Sequence, residues 1–447
     1  MALQNTHFSN EEISEILKSA RNIFFIGIGG VSTSSLATYL HYEGKSIYGY
    51  DRERTNITKK LESLCEIKYY STPDRVRGMD LVVYSCAIDE NNFEYKMAKK
   101  LKIPTLSRAN LLGYIISTHK LTIGIAGSHG KSTTVSMLAK IFDYAQRKPT
   151  VFCGAYMKDY GGFVLLGKKD VCIFEACEYM DSFLNLPPKS LGILNIDYDH
   201  PDYFTSLKDV QESFSALSSL AEIVYINNDD APSKSISAKK IITYAIDGEA
   251  QYQAKLTSEG FDAYHMGKLL VKCALKFKGK HFVYDALCAL AIAHQSNISP
   301  TVICKALSEF SGVKRRMEFI KKTDTSLPIF EDYAHHPKEI EASLSSLLEM
   351  GYKRILCVYQ AHTYSRTHFL YDDFIHAFKN ASELYFLPTF SAREKNSYGV
   401  DEEKFAHDSG GTLISSYEAL KEKILATNCD VVVLMGAGDI TNFKNYL

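Results

Sequence analysis

The feature that most constrains the fold is a repeated alternation of short apolar segments with segments of helical periodicity. It begins at Asn22 with the run IFFIGIG, restarts at Lys120 with KLTIGIAG, and restarts again beyond Gly312 with LPIFEDYA. Such alternation is typical of parallel sheets covered by helices. Residues 250–280 add β-rich pieces that predict an antiparallel extension of the second unit. We therefore predict an α/β protein of three domains, over residues 1–117, 118–312 and 313–447.

Composition excludes several classes of partner. The chain has 51 basic and 52 acidic residues, so its net charge does not favour binding to nucleic acid or an anionic membrane. No apolar run reaches the roughly 18 residues that a membrane helix needs. The N-terminal stretch carries acidic residues and lacks the apolar region of a secretory signal, so we expect a short amphipathic helix there and a cytoplasmic protein. We also expect a monomer or a weak homodimer.

The ten cysteines are scattered along the chain. They form no C-x-x-C pair of the kind that builds a zinc site. We predict reduced, mostly buried thiols.

The strongest local motif is IAGSHGKSTT, in which an apolar strand runs into a glycine turn and then into a helical pattern. Converging backbone N–H groups, a lysine and a hydroxyl at a helix N-terminus are suited to a triphosphate and its magnesium ion. Ile125 occupies the position of the first glycine in the common G-x-x-x-x-G-K-[ST] pattern, so the loop is a shorter variant. The predicted phosphate-binding residues are Gly127, Ser128, His129, Gly130, Lys131, Ser132 and Thr133.

A second glycine turn, GIGGVSTSS, follows the first strand. Gly27, Gly29 and Gly30 lie in this turn, and Asp51 ends the next strand, as in a dinucleotide-binding fingerprint. Ser32 takes the place of the third glycine. A nucleotide-diphosphate substrate, a nicotinamide cofactor and a purely structural turn all remain open on this evidence.

Two side chains follow later strands of the second unit and are candidate metal ligands. Glu175 ends the strand VCIFE and His200 follows LGILNI, so both should lie near Lys131 at one sheet edge. Magnesium prefers oxygen ligands, which suits Ser132 and Glu175 and makes His200 unusual. An ordinary surface charge is the alternative for Glu175.

In the third unit, DYAHHP and QAHTYSR each follow a strand. These are positions at which open α/β sheets bind ligands. The adjacent His335 and His336 suggest zinc, but neighbouring side chains diverge and no third ligand has a fitting spacing. The basic run GVKRRMEF at the domain junction is either a solvated turn or a place where Arg316 binds phosphate.

Taken together, the motifs resemble those of the Mur ligases over nearly the whole chain. The segments GIGG, GSHGKSTT, EACE, NIDYDH, GVKRRMEF, DYAHHPKE and QAHTYSRT occur in the order and approximate spacing of that family. The resemblance implies a Rossmann-like UDP-binding domain, a central P-loop-type ATPase domain and a Rossmann-like C-terminal domain that closes to bring the amino acid. The pairing of HHPKE with HTYSR resembles the alanine-adding members rather than the peptide-recycling one.

The resemblance further implies an activity: ATP-dependent addition of L-alanine to UDP-N-acetylmuramate through an acyl phosphate, giving ADP and phosphate, with two Mg²⁺ ions. It places the UDP sugar at Gly27, Gly29, Gly30 and Asp51, and ATP at the phosphate loop with Arg316, Asp332 and His335. It assigns magnesium to Ser132, Glu175 and His200, catalysis to Lys131, Glu175, His200 and His336, and the alanine carboxylate to Tyr333 and Arg366.

Several positions depart from the family pattern: Ser32, Cys177, Tyr179, Phe282, Asp285 and Ala361. Phe282 and Asp285 replace two asparagines near adenine, which leaves the adenine contacts open. Three other functions remain as alternatives: a nicotinamide-dependent oxidoreductase, a non-catalytic nucleotide-binding relative, and a sister ligase with another amino-acid or peptide acceptor.

Overall fold

The computed structural model describes residues 3–85, 87–322, 327–392 and 394–446. Its strands form three separate sheets of five, ten and six strands, and helices alternate with them along the chain. The predicted α/β class is therefore confirmed. No helix in the described ranges combines the length and the apolar character that crossing a membrane requires.

The first sheet is entirely parallel, in the order β3-β2-β1-β4-β5. The predicted N-terminal helix is present, and a capping box between Ser9 and Glu12 begins it. The strands are β1 (Asn22–Ile26), β2 (Ser46–Tyr50), β3 (Glu66–Lys68), β4 (Leu81–Tyr84) and β5 (Thr105–Ser107); the helices are α1 (Asn10–Ser19), α2 (Val31–Tyr42), α3 (Asn56–Leu61), α4 (Phe93–Lys100), α5 (Arg108–Ser117) and a short 3₁₀ helix (Pro73–Val76).

The second sheet has the order β15-β14-β13-β12-β11-β10-β6-β9-β7-β8. Its strands are β6 (Leu121–Ala126), β7 (Thr150–Met157), β8 (Gly162–Leu165), β9 (Val171–Glu175), β10 (Ser190–Ile193), β11 (Ile223–Asn227), β12 (Ile241–Ala245), β13 (Tyr252–Leu256), β14 (Gly260–His265) and β15 (Lys268–Ala274). Its helices are α6 (Lys131–Tyr144), α7 (Leu207–Leu220), α8 (Lys280–Gln295), α9 (Pro300–Ser308) and the 3₁₀ helices Tyr179–Asn185 and Pro232–Ser235. The pairs β13–β14 and β14–β15 are antiparallel, which confirms the predicted extension.

The third sheet has the order β16-β17-β21-β18-β19-β20, and only its β16–β17 pair is antiparallel among the described strands. Its strands are β16 (Glu318–Lys322), β17 (Pro328–Asp332), β18 (Ile355–His362), β19 (Glu383–Phe390), β20 (Thr412–Leu413) and β21 (Val431–Met435). Its helices are α10 (Pro337–Glu349), α11 (Tyr364–Phe369), α12 (Tyr371–Ala377), α13 (Glu402–Asp408), α14 (Tyr417–Ala426) and the 3₁₀ helix Asp439–Asn445.

The hydrophobic cores run across the boundaries between sheets. One cluster joins Leu111 and Ile115 of α5 to Phe183 and Leu186 beside the second sheet. A second cluster extends from the second sheet into the third. Because apolar side chains are shared in this way, the three units pack as neighbours and their strand ends are held at fixed positions.

One pair of cysteines corrects the prediction of uniformly reduced thiols. Cys273 on β15 and Cys304 on α9 are joined as a disulfide, with their Cα atoms 5.0 Å apart. The prediction failed because the strand and the helix are distant in sequence and meet only in the folded domain. Seven described cysteines are free, and Cys86 lies outside the described residues.

Candidate active site

The predicted phosphate loop connects β6 to α6. Gly130 has a φ of 83°, in the left-handed region, and immediately precedes the first residue of the helix. A side chain at Gly130 would also collide with the carboxyl group of Asp285. The loop therefore requires glycine here, and the first turn of α6 begins without a capping side chain, as an anion-binding helix N-terminus does.

The amino group of Lys131 folds back over this loop. It donates to the backbone oxygens of Gly127 and Ser128, and it lies 3.0 and 3.1 Å from the two carboxylate oxygens of Glu178. Burial opposes the charge of Lys131, but Glu178 outweighs it and raises the lysine pKa above its usual value. Lys131 is thus a cation at neutral pH, held by a buried carboxylate that the sequence prediction did not select.

Two of the three candidate metal ligands, Ser132 and Glu175, contact each other at the start of α6, and the third, His200, contacts Glu178 instead. The Ser132 hydroxyl donates to a Glu175 carboxylate oxygen at 2.7 Å, and that oxygen also accepts the Gly154 N–H. His200 Nε2 lies 3.7 Å from the carboxylate of Glu178. Two oxygen donors at a helix N-terminus fit magnesium. No three His, Cys, Asp or Glu side chains converge as a metal-binding group in the described residues, so ligands from a nucleotide would be needed to complete the site.

A cavity of about 310 Å³ opens beside the loop, between the second and third sheets. Its walls include His281, Phe282 and Asp285 of α8 together with Arg316 and Asp332. Burial raises the pKa of Asp285 to about 8 and that of Asp332 to about 6, although the charge of Arg316 acts in the opposite direction on both. Arg316 and Asp332, two predicted ATP-binding residues, are far from the phosphate loop in sequence. The structure nevertheless places them at the same cavity as His129 and Gly130.

His129 of the phosphate loop links two domains. Its Nε2 lies 3.1 Å from Asp197, and its Nδ1 lies 3.3 Å from Glu339 of α10. Burial opposes protonation, but Glu339 and Asp197 outweigh it and raise the pKa of His129 to about 9. Lys338 of α10 also pairs with Asp197. The loop and α10 are therefore joined through charged groups.

The two residues predicted to bind alanine, Tyr333 and Arg366, contact different side chains. Arg366 is buried and its Nε lies 2.9 Å from Asp199, which follows β10. The ring centroid of Tyr333 is instead 4.8 Å from the guanidinium carbon of Arg315 and 5.3 Å from that of Arg316. The contacts of the described residues do not join Tyr333 to Arg366.

The two adjacent histidines are neutral at neutral pH. Burial lowers the pKa of His335 to about 3 and that of His336 to about 4. His335 contacts Glu339, while the His336 ring lies 4.6 Å from the ring of His129. Of the two, His336 is the one that borders the phosphate loop.

The glycine turn of the first domain lies at a second cavity, of about 750 Å³. Gly27, Gly29, Gly30 and Asp51 all line it, as predicted for one ligand site. The Asp51 carboxylate accepts the Gly29 N–H at 2.7 Å. This contact orients the turn, and the first turn of α2, which follows it, contains no acidic residue.

Sequence reasoning missed four buried carboxylates of the site: Glu178, Asp197, Asp199 and Glu339. Each lies within one of the family-like motifs EACE, NIDYDH and HHPKE. The sequence does show that these motifs contain acidic residues. It does not show which basic side chain each one meets, because the main partners belong to other segments of the chain.

Three α/β units around a lysine-containing phosphate loop define a multidomain nucleotide-binding protein. Family models match in turn over residues 22–120 (Mur ligase family, catalytic domain), 125–293 (Mur ligase middle domain) and 315–438 (Mur ligase, glutamate ligase domain). The chain belongs to the Mur ligase family.

Relatives agree with this assignment, and solved structures share the fold. A UDP-N-acetylmuramate–L-alanine ligase of Caldanaerobacter subterraneus is 37% identical, with 95% of this chain and 96% of the relative covered. One of Agathobacter rectalis is 36% identical, with 94% and 96% covered. The fold is similar to that of a UDP-N-acetylmuramate–alanine ligase of Thermotoga maritima (TM-score 0.81, 24% identity, 95% and 97% covered) and of a murein peptide ligase of Psychrobacter arcticus (TM-score 0.72, 21% identity, 96% and 98% covered).

Proposed function

We propose that this protein is an ATP-dependent ligase that joins L-alanine to the carboxylate of UDP-N-acetylmuramate in peptidoglycan synthesis. The observation that carries the proposal is the end-to-end match, over about 95% of the chain, to relatives with that activity in their names. The geometry supports it, because the chain holds a triphosphate loop, a separate glycine turn for a nucleotide diphosphate and a third domain against the loop.

The chemistry proposed is a transfer in two steps. A carboxylate oxygen of the sugar substrate attacks the γ-phosphorus of ATP, the bond to the β,γ-bridging oxygen breaks, and ADP leaves. The alanine amine then attacks the acyl carbon of the acyl phosphate, loses a proton and displaces phosphate. Both partners of the first step are anions, so fixed positive charge is needed where they meet. Lys131 and the N-terminus of α6 supply that charge.

Magnesium fits the oxygen donors Ser132 and Glu175, and we propose that they hold it with the ATP phosphates. When bound, the ion neutralises phosphate charge and aligns the triphosphate. His200 would be a ligand of a second magnesium ion and would give up its contact with Glu178.

Two cavities support the two nucleotide sites, one lined by Arg316 and Asp332 and the other by the glycine turn and Asp51. We propose that Arg316, Asp332 and His335 act around ATP, that Gly27, Gly29, Gly30 and Asp51 hold the UDP moiety, and that His336 borders the reacting groups. Arg366 and Tyr333 would bind the alanine carboxylate. Because Arg366 is paired with Asp199, this binding requires that the ion pair rearrange. Closure of the third domain would also keep water from the acyl phosphate.

We further propose that the three domains span residues 1–117, 118–312 and 313–447 and that the enzyme acts in the cytoplasm, where its nucleotide substrates are made. The oligomeric state proposed is a monomer or a weak homodimer.

Phosphate release from ATP tests the proposal. The purified protein is assayed with magnesium, with UDP-N-acetylmuramate and L-alanine each present or omitted, and with glycine, L-serine and a tripeptide as alternative acceptors. Release that requires both the sugar nucleotide and L-alanine is expected. Release without either, release with the tripeptide alone, or none with any acceptor would contradict it.

A further inference from the structure

Arg108 lies at the carboxyl end of β5 and begins α5, on the side of the first domain that packs against the second. Its Nη1 donates to the Ser32 hydroxyl at 3.1 Å. Ser32 is the second residue of α2, whose first turn follows the glycine turn Gly27–Gly30. The guanidinium is thereby held beside the N-terminus of the helix that the glycine turn begins.

The charge of Arg108 is not neutralised by a carboxylate. No ion pair of the described residues includes it, and the first turn of α2 has no acidic residue. Arg108 is only partly exposed, so water screens it incompletely. The half-buried arginine and the uncapped N-terminus of α2 place positive charge beside the glycine turn, where the Asp51 carboxylate accepts only the Gly29 N–H among the described contacts of that turn. Lys131 differs in this respect, because Glu178 pairs with it.

The region around Arg108 adjoins the second domain. Helix α5 packs on the 3₁₀ helix Tyr179–Asn185 so closely that a side chain at Gly113 would collide with the Asn185 carbonyl. Arg108 is also close enough to Cys177 to influence its thiol electrostatically, and Cys177 precedes Glu178. Arg108 is therefore near the glycine turn through Ser32, and near the segment Cys177–Glu178 that contacts Lys131.

Resting on the function proposed above, we propose that Arg108 binds the diphosphate of the UDP-linked substrate and that Ser32 orients its guanidinium. Arginine presents paired N–H donors that match phosphate oxygens, and lysine cannot reproduce that geometry. Serine at the third position of the glycine turn, where glycine is usual, supplies the hydroxyl that fixes the arginine. Arg108 is then a substrate-positioning residue and has no part in the bonds that form or break.

Calorimetric titrations test this assignment with uridine, UDP, UDP-N-acetylglucosamine and UDP-N-acetylmuramate. We expect Arg108→Met to lower the affinity for the three diphosphates about 10- to 100-fold and the affinity for uridine less than twofold. Arg108→Lys should lose less affinity than Arg108→Met, and Ser32→Ala should lower the affinity for the diphosphates a few-fold. The affinity for ATP should stay within twofold in every variant, which also checks that each one folds. The KM for the sugar nucleotide should rise with little change in kcat.

Two results would overturn the assignment. Equal UDP affinity in Arg108→Met and the unmodified protein would show that Arg108 does not bind the diphosphate. A loss confined to UDP-N-acetylmuramate would instead place Arg108 at the lactyl carboxylate, which UDP-N-acetylglucosamine lacks. If the unmodified protein binds ATP but none of the uridine nucleotides, the proposed function itself fails, so the two failures are distinguishable.

Discussion

Replacing Asp285 with Asn should make the protein more stable, by an amount that grows with pH. Asp285 is 5% exposed, and burial raises its pKa from the model-compound value of 3.8 to about 8. Between these values the folded protein holds a proton that the unfolded chain has released, so this group's contribution to stability falls as pH rises. Asparagine has nearly the same shape as the neutral acid and does not titrate.

The structure sets the size of the effect. One proton taken up on folding corresponds to about 1.4 kcal/mol per pH unit, so the advantage of Asp285→Asn should grow by about 2.7 kcal/mol between pH 5 and pH 7. The free energy of unfolding is measured by urea titration at pH 5, 6 and 7, with hydrogen exchange of the α8 amides locating the change. Asp372→Asn, at an exposed position of α12, is the control. An equal difference at all three pH values would refute the reasoning.

Three further predictions concern charged groups of the site. Lys131→Met should lower phosphate release at least 100-fold while UDP binding, followed by calorimetry, changes less than twofold; unchanged release would exclude Lys131 from the triphosphate site. Glu175→Gln should raise the magnesium concentration for half-maximal activity about 10-fold, and chelation by EDTA should abolish activity in the unmodified protein; an unaltered magnesium requirement would count against Glu175 as a ligand. Arg366→Met should cost about 3 to 5 kcal/mol in urea unfolding because it leaves the Asp199 charge buried, whereas adding Asp199→Asn should restore part of that loss; additive losses would show that the two do not act as a pair.

The sequence predicted the parts of the fold that depend on local pattern. The strand-to-helix transition at Lys131 was found because glycines, a lysine and apolar periodicity occur within a dozen residues. The antiparallel extension of the second sheet was found because its turns are local as well. The relative placement of Ser132 and Glu175 followed from a general rule, since the carboxyl ends of parallel strands share one edge.

The parts that failed depend on contacts between distant segments. The pairing of Glu178 with Lys131, of Asp199 with Arg366 and of Cys273 with Cys304 each joins elements that only the completed fold brings together. A sequence pattern shows that such groups exist, but it does not show which opposite charge or thiol will face them. The role proposed for Arg366 stays a prediction, and the sequence did not show that Asp199 would face it.

The contact between Glu178 and Lys131 has a consequence for turnover. The charged amino group of Lys131 is paired with the Glu178 carboxylate, so any incoming anion must compete with a carboxylate at hydrogen-bonding distance. At the proposed ATP site, a triphosphate would compete through several contacts, whereas inorganic phosphate would have few. Under the proposed function, Glu178 is an internal competitor for Lys131, a role that favours release of the spent phosphate and return of the lysine to its paired state.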